Sequence, residues 1–137
     1  MGSRAVKEQE RITLRKQTFF LGIGLIIAIS LLAACQKEAS AKETAEQFIN
    51  YIAEGEYEKA YEQVDEDMEN SIEQSDLSYI WIALELSSGE NKSLTYDKTE
   101  QDGEHEVVFI EGEFTEGNVT FMITINKDQE VAGFFVV

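Results

Sequence analysis

The chain has 137 residues, and its eight Phe, five Tyr and one Trp supply apolar volume for one small core rather than two domains. Lys and Arg number 11 against 27 Asp and Glu, a formal net charge of −16, and so acidic a surface excludes binding to nucleic acid and repels anionic lipid headgroups. A single cysteine excludes a disulfide within the chain, and with a single histidine it leaves a transition-metal site short of ligands, so no metal and no cofactor are predicted.

The N-terminus combines a basic flank with an uncharged segment. Five Lys or Arg and two Glu precede Thr18, and residues 18–34 carry no charge. The basic flank predicts that the N-terminus stays on the cytoplasmic side and that the rest of the chain lies outside. At 1.5 Å per residue, these 17 residues reach only the lower limit for spanning about 30 Å of hydrocarbon. The segment is therefore either part of a signal peptide or a marginal, uncleaved transmembrane anchor.

The uncharged segment ends on the only cysteine. Leu32-Ala33-Ala34-Cys35 resembles the lipobox of bacterial lipoproteins. This resemblance implies cleavage between Ala34 and Cys35, a diacylglyceryl group on the Cys35 thiol, and optional acylation of the new amine. Two or more acyl chains form a lasting anchor, whereas one binds only reversibly. We therefore expect a protein anchored in the cell membrane on its extracytoplasmic face, with a signal peptide (1–34), a lipidated N-terminus and linker (35–39) and one domain (40–137).

The first half of that domain carries helical patterns. Ser40 and Glu43 fit a capping box, and apolar side chains recur at helical spacing until Gly55, which can end the helix in the left-handed conformation. A second amphipathic helix is predicted from Tyr57 to Val64. Residues 65–74 are acidic and weakly patterned, and they predict only a short helix or turn.

A third helix is predicted after this acidic segment. Ser75 is expected to cap it, and Ser87-Ser88-Gly89 to end it. One apolar stripe is expected to face the core. Its members are Leu77, Ile80, Trp81 and Leu84.

The second half of the domain changes to the two-residue period of β-strands. The predicted strands are Lys92–Glu100, Glu106–Phe114, Val119–Ile125 and Val131–Val137. Helices followed by hairpin-linked strands predict an α+β domain, in which the N-terminal helices pack on a curved, cone-like antiparallel sheet of about four strands. The last strand is almost wholly apolar, so it is expected inside the sheet or covered on both faces, since an exposed apolar edge promotes aggregation.

Several segments together resemble a known family. They are EGEYEKAYEQVDEDM (54–68), Trp81, Gly89 and NVTFMITINKDQEVAGFFVV (118–137). Together they are similar to a small domain of unknown function found in secreted bacterial proteins and lipoproteins, and to the nuclear-transport-factor-2-like, or cystatin-like, superfamily. The resemblance implies helices packed into the concave side of a bent sheet. Such domains hold a small ligand, bear catalytic acids or pair as dimers.

Three kinds of chemistry can be tested on the residues. His105 lies among charged residues beside the Asp102-Gly103 turn, which favours a solvated histidine over a catalytic base. An acid/base enzyme would need a carboxylate with a raised pKa facing inward beside a tyrosine such as Tyr57, Tyr61 or Tyr96. A weak calcium site is a further alternative, since residues 65–76 place acidic side chains in an EF-hand-like frame. The frame is incomplete, because Asn70 stands where Gly is required and Asp76 replaces the bidentate Glu.

The favoured interpretation is a non-catalytic binding or interaction domain. Its partner would be a small ligand, another protein or a second copy of the chain. Tyr57, Tyr61 and Trp81 are the candidate pocket or interface residues, with core packing as the alternative for each. An enzyme predicts an open cavity holding a carboxylate beside a tyrosine, whereas an interaction domain predicts a filled interior or an apolar patch on the outer sheet face.

Overall fold

The computed structural model describes residues 40–137. The predicted signal peptide, the cleavage site at Ala34, the lipidation site at Cys35 and the linker lie outside these residues. The helices are α1 (Ala41–Ala53), α2 (Tyr57–Tyr61), α3 (Glu66–Glu69) and α4 (Gln74–Ser88). The strands are β1 (Asn91–Asp102), β2 (His105–Phe114), β3 (Gly117–Ile125) and β4 (Val131–Val136). Helices packed on a four-stranded antiparallel sheet confirm the predicted α+β class.

The first helix begins and ends where its sequence predicts. The Ser40 side chain accepts a hydrogen bond from the Glu43 backbone N–H at 3.4 Å, which satisfies a donor that the first turn leaves free. Gly55 follows the last turn with φ of +77°, a conformation that glycine adopts without a steric penalty. The apolar face of α1 is buried through Phe48, Ile49 and Ile52.

The start of α4 differs from the prediction. The N-cap is Glu73 and the helix begins at Gln74, so the assignment of Ser75 as the cap is wrong. The Glu73 backbone N–H donates to Asp76 Oδ2 at 2.8 Å, and the Glu73 side chain accepts from the third residue of the helix in return. This reciprocal pair of carboxylates satisfies two backbone donors, whereas a Ser75 cap would satisfy one. The helix therefore begins two residues earlier than a Ser75 cap would place it.

The sheet has the strand order β1-β2-β3-β4, with neighbours antiparallel. Its register places two sets of side chains on opposite faces. The inner face, towards the helices, carries Val108, Ile110, Phe114, Phe121, Ile123 and Ile125, which are all buried. The opposite, outer face carries Phe109, Met122 and Phe135 at mutually facing positions.

Aromatic rings fill the space between the helices and the inner face. The Trp81 ring stacks on Phe121 at a centroid distance of 6.0 Å and lies 5.7 Å from Phe114. Phe134 packs edge-on against Phe48 at 5.4 Å. In the part of the chain that the structure describes, no polar or charged residue is buried. The core is therefore apolar and packed at its centre.

The last strand lies at an edge of the sheet. Its first residue is partly covered, because the Val131 N–H donates to the Gln63 carbonyl at 2.8 Å and the Val131 carbonyl accepts from the Asp65 N–H at 2.9 Å. Farther along, Phe135 and Val137 are exposed. The prediction of a strand inside the sheet or covered on both faces is therefore wrong for residues 40–137. The apolar pattern of one strand does not indicate whether that strand is paired on both sides in the sheet.

No helix between residues 40 and 137 combines the length and the hydropathy needed to cross a bilayer.

Candidate functional site

Trp81 lies in the core and not in a pocket. Its side chain is 3% exposed and contacts rings from β2 and β3. A tryptophan buried among aromatic rings stabilises the fold through its large apolar area. The structure thus gives this candidate the packing role that was its alternative.

Tyr61 also has a structural partner. Its hydroxyl donates to the carbonyl of Ile72 at 3.1 Å and lies 3.3 Å from the carbonyl of Glu69. Glu69 is the last residue of α3 and Ile72 lies in the turn that follows, so the phenol ties α2 to the end of α3 and to this turn. The hydroxyl satisfies backbone acceptors that the turn would otherwise leave to water.

Tyr57 is the candidate that faces a depression. The depression has a volume of about 320 Å³ and is shallow and open to solvent. Its walls come from Gly55, Glu56, Tyr57, Glu58, Lys59 and Gln74. Burial raises the pKa of the Tyr57 phenol, and the Glu85 carboxylate on α4 raises it further. The three candidates therefore lie in different surroundings. Tyr57 lies at a surface depression, the Tyr61 hydroxyl bonds to backbone carbonyls at the end of α3, and Trp81 lies in the core.

In residues 40–137, no buried carboxylate lies beside a tyrosine. The Tyr96 hydroxyl lies 3.1 Å from the Thr99 hydroxyl, and the Lys42 ammonium lies 4.4 Å above the Tyr96 ring. The carboxylates of residues 40–137 all remain at least partly exposed. His105 is exposed at the β1–β2 hairpin, as predicted.

Two acidic residues of the EF-hand-like frame, Asp65 and Asp76, accept backbone N–H groups at helix starts. Asp65 Oδ1 accepts from the Met68 N–H at 2.9 Å at the start of α3. Asp76 accepts from the Glu73 N–H at the start of α4. Within the described range, no three His, Cys, Asp or Glu side chains group closely enough to hold a metal ion.

The outward face of α4 carries an apolar stripe. It consists of Tyr79, Ile82 and Leu86, which are 67%, 48% and 84% exposed. These residues are spaced i, i+3 and i+7, so their side chains share one side of the helix. The opposite side carries the buried Leu77 and Trp81, so α4 is apolar on two faces. The sequence prediction assigned only the buried stripe, although the same spacing rule applied to Tyr79 and Leu86.

A second apolar surface crosses the outer face of the sheet. It is the row Phe109, Met122 and Phe135, which face each other on β2, β3 and β4. At the β1 side, the Lys98 ammonium covers the Phe109 ring at 4.7 Å. At the β4 side, Phe135 is 59% exposed. The outer row is therefore covered at one end and open at the β4 edge.

Comparisons with known proteins agree with this fold and name no activity. The model of the family described as "Protein of unknown function (DUF3887)" matches residues 45–134. A solved structure, "NMR structure of protein from Ruminococcus gnavus ATCC 29149", is similar with a TM-score of 0.51 and 19% identity. That match covers 72% of this chain and 89% of the other. No curated protein matches the chain.

Proposed function

The chain belongs to the DUF3887 family of unknown function, and for this member we propose a lipid-anchored, extracytoplasmic interaction domain without catalytic activity. The anchor is the acylated Cys35, and the domain binds a protein partner close to the membrane. The proposed similarity to the nuclear-transport-factor-2-like superfamily is supported by helices packed on the inner face of one antiparallel sheet. This similarity supplies no catalytic residue.

One observation supports interaction over catalysis: the interior is filled, and the surplus apolar surface lies outside. Rings from Phe48, Trp81, Phe114, Phe121 and Phe134 occupy the space where a cone-type enzyme needs a cavity. The α4 stripe and the outer row expose large apolar side chains instead. Contiguous apolar surface on a soluble domain is typical of contact with another macromolecule.

The anchor is tested by changing its thiol. Cys35→Ala should leave the precursor uncut and without lipid, because both steps require the thiol. Mass spectrometry of the membrane-associated protein would show an acylated chain beginning at Cys35 in the wild type and an unmodified chain beginning at Met1 in the variant. Normal processing of the variant would overturn the anchor.

The interaction surface is tested by placing a photo-reactive amino acid at position 86 in the host cell. Leu86 is the most exposed large apolar residue of the stripe, so a bound protein should give one discrete cross-linked band. Tyr79→Lys should remove that band, because it places a charge on the same face of α4, about two turns from position 86, without disturbing the core. The same photo-reactive group at exposed Glu43 on α1 is the control. Equal cross-linking at positions 43 and 86 would contradict the proposal.

A further inference from the structure

The hydrogen bonds of β4 show which backbone groups its edge leaves open. Val137 and Thr120 exchange two hydrogen bonds, at 3.0 and 2.8 Å. Because bonded and non-bonded pairs alternate along an antiparallel ladder, Phe135 is the next residue bonded to β3, opposite Met122. The N–H and C=O groups of Phe134 and Val136 therefore point away from the sheet. Among residues 40–137, no strand pairs with this side of them.

The protein covers only the first part of this edge. Val131 exchanges hydrogen bonds with Gln63 and Asp65, so the chain before α3 acts as a short additional strand. This cover is a single isolated bridge and ends before Phe134. An unpaired, apolar strand edge readily pairs with another chain. The open part, residues 134–136, is thus a site for one more strand.

Charge favours a second copy of the same chain at this edge. The chain carries a formal charge of −16, and like charges oppose contact between two copies over most of its surface. Residues 131–137 contain no charged side chain. Two copies meeting edge to edge along these residues therefore bring no pair of carboxylates into direct opposition.

We propose that β4 pairs antiparallel with β4 of a second copy, about a two-fold axis at Phe135. In this register, Phe134 of each copy faces Val136 of the other, and the outward N–H and C=O groups of these residues form four hydrogen bonds. Phe135 faces Phe135 as the non-hydrogen-bonded pair, where side chains are closest. The two outer rows then join into one continuous row across the dimer. This inference rests on the proposed interaction function and names one partner, but it does not require the lipid anchor.

Pairing with a second copy explains more features of this surface than pairing with a strand of another protein does. Any extended peptide could satisfy the four backbone groups. Only a second copy also brings a matching Phe135 and continues the row of Phe109 and Met122 on the same face. Such a self-complementary contact is the usual geometry of a dimer.

Disulfide trapping in the full chain tests the register. Facing residues of a non-hydrogen-bonded antiparallel pair lie about 4.5 Å apart between Cα atoms, within the span of a disulfide. Phe135→Cys should therefore give a covalent dimer on mild oxidation in detergent. Glu113→Cys, exposed on the outer face of β2, should give no disulfide-linked dimer, and neither should the wild-type chain, whose single thiol is Cys35. Equal cross-linking of the 113 and 135 variants, or none at 135, would overturn the register.

Molecular mass in detergent tests the dimer without a new thiol. The wild-type chain should have twice the monomer mass. Phe135→Lys should be monomeric, because a charge at the edge opposes pairing. Leu86→Lys, a matched change on the exposed α4 stripe, should remain dimeric. Circular dichroism shows that each variant is folded. A monomeric wild-type chain would overturn the inference, whether the β4 edge is open or bound to another segment. A dimer that is lost in Leu86→Lys but kept in Phe135→Lys would also overturn it.

Cys35→Ala separates this inference from the anchor. A dimeric Cys35→Ala chain that gives the same trapped dimer with Phe135→Cys supports the edge contact even if no lipid is found on the wild type. A wild-type dimer that dissociates in Cys35→Ala would instead assign the association to the N-terminal segment and overturn the β4 contact.

Discussion

Gly112 stands where two aromatic rings meet on the inner face of the sheet. A Cβ atom at this position would lie 2.7 Å from Phe121 Cε2 and 3.0 Å from Phe114 Cε2. Glycine in a strand interior is costly unless a ring or another backbone needs the space. Here the absent side chain lets Phe114 and Phe121 pack beside Trp81.

Gly112→Ala should therefore destabilise the domain. Both rings belong to a packed core and cannot move freely, so the cost expected for overpacking is about 1–3 kcal/mol. Urea unfolding followed by the fluorescence of the single, buried Trp81 measures it. Gly117→Ala is the matched control, because a Cβ at Gly117 meets nothing within 4 Å. Equal unfolding midpoints for the two variants would show that the rings do not define this site.

The start of α4 is capped by carboxylates. Glu73 and Asp76 satisfy backbone donors at the first turn, where negative charge also interacts favourably with the helix dipole. Ser75, between them, donates its hydroxyl to the Glu73 side chain at the limiting distance of 3.5 Å. The cap is therefore held by Asp76 rather than by Ser75.

Asp76→Ala should lower the free energy of unfolding by about 1 kcal/mol, the usual loss for a helix cap. Ser75→Ala in the same turn should change it by less than about 0.5 kcal/mol, because it removes no backbone partner. Urea midpoints of the two variants compare them directly. A larger loss of unfolding free energy in Ser75→Ala than in Asp76→Ala would show that Ser75 is the cap.

Contact between α2 and α4 affects an ionisable group. The pKa of Tyr57 is raised by burial and then by Glu85, so the folded chain holds the phenol proton more tightly than the unfolded chain. The resulting contribution to stability is complete below the unfolded pKa of about 10. It is lost as the pH rises through the higher folded pKa.

Glu85→Gln should lower the pKa of Tyr57, because it removes the negative charge and leaves the burial. Absorbance of tyrosinate near 295 nm during an alkaline titration measures it, and the difference between each chain and its Tyr57→Phe partner isolates this tyrosine from the other four. An unchanged titration in Glu85→Gln would mean that burial alone raises the pKa.

The molecule as a whole carries a large excess of negative charge, which affects its stability. Residues 35–137 retain six of the 11 Lys and Arg but 25 of the 27 Asp and Glu. The described ion pairs, such as Lys42–Glu46 and Lys92–Glu90, are at the surface. Such pairs contribute little, whereas repulsion among the unpaired carboxylates opposes compactness.

Salt should therefore stabilise the domain. Raising NaCl from about 0.1 M to about 1 M shortens the Debye length from about 10 Å to about 3 Å. We expect the urea midpoint to rise by an amount equivalent to about 1 kcal/mol, the scale of a few exposed charge pairs. Adding about 1 mM Ca²⁺ to the low-salt sample, near the affinity range of weak extracellular calcium sites, should not reproduce this rise. A large shift with Ca²⁺ but not with Mg²⁺ would revive the calcium-binding alternative for residues 65–76.

Much of the fold follows from local patterns. The cap at Ser40, the positive φ of Gly55 and the alternation in β3 each depend on residues close in sequence. These elements lie close to their predicted positions, and the α+β class follows from their order. The candidate site was harder to predict, because exposure depends on which element lies opposite. Trp81 and Tyr79 are two positions apart on one helix, yet one is in the core and the other in solvent.

The order of helices and strands and the excess of acidic charge follow from periodicity and composition, which are properties of the amino-acid chain alone. The sequence also predicts an anchored N-terminus, which its own experiment must test. Three features became visible only in the packed fold: the interior is filled, α4 leaves a second apolar face uncovered, and β4 lies at an edge. Each of these depends on which surfaces remain without a neighbour after packing, and distant segments of the chain determine that together.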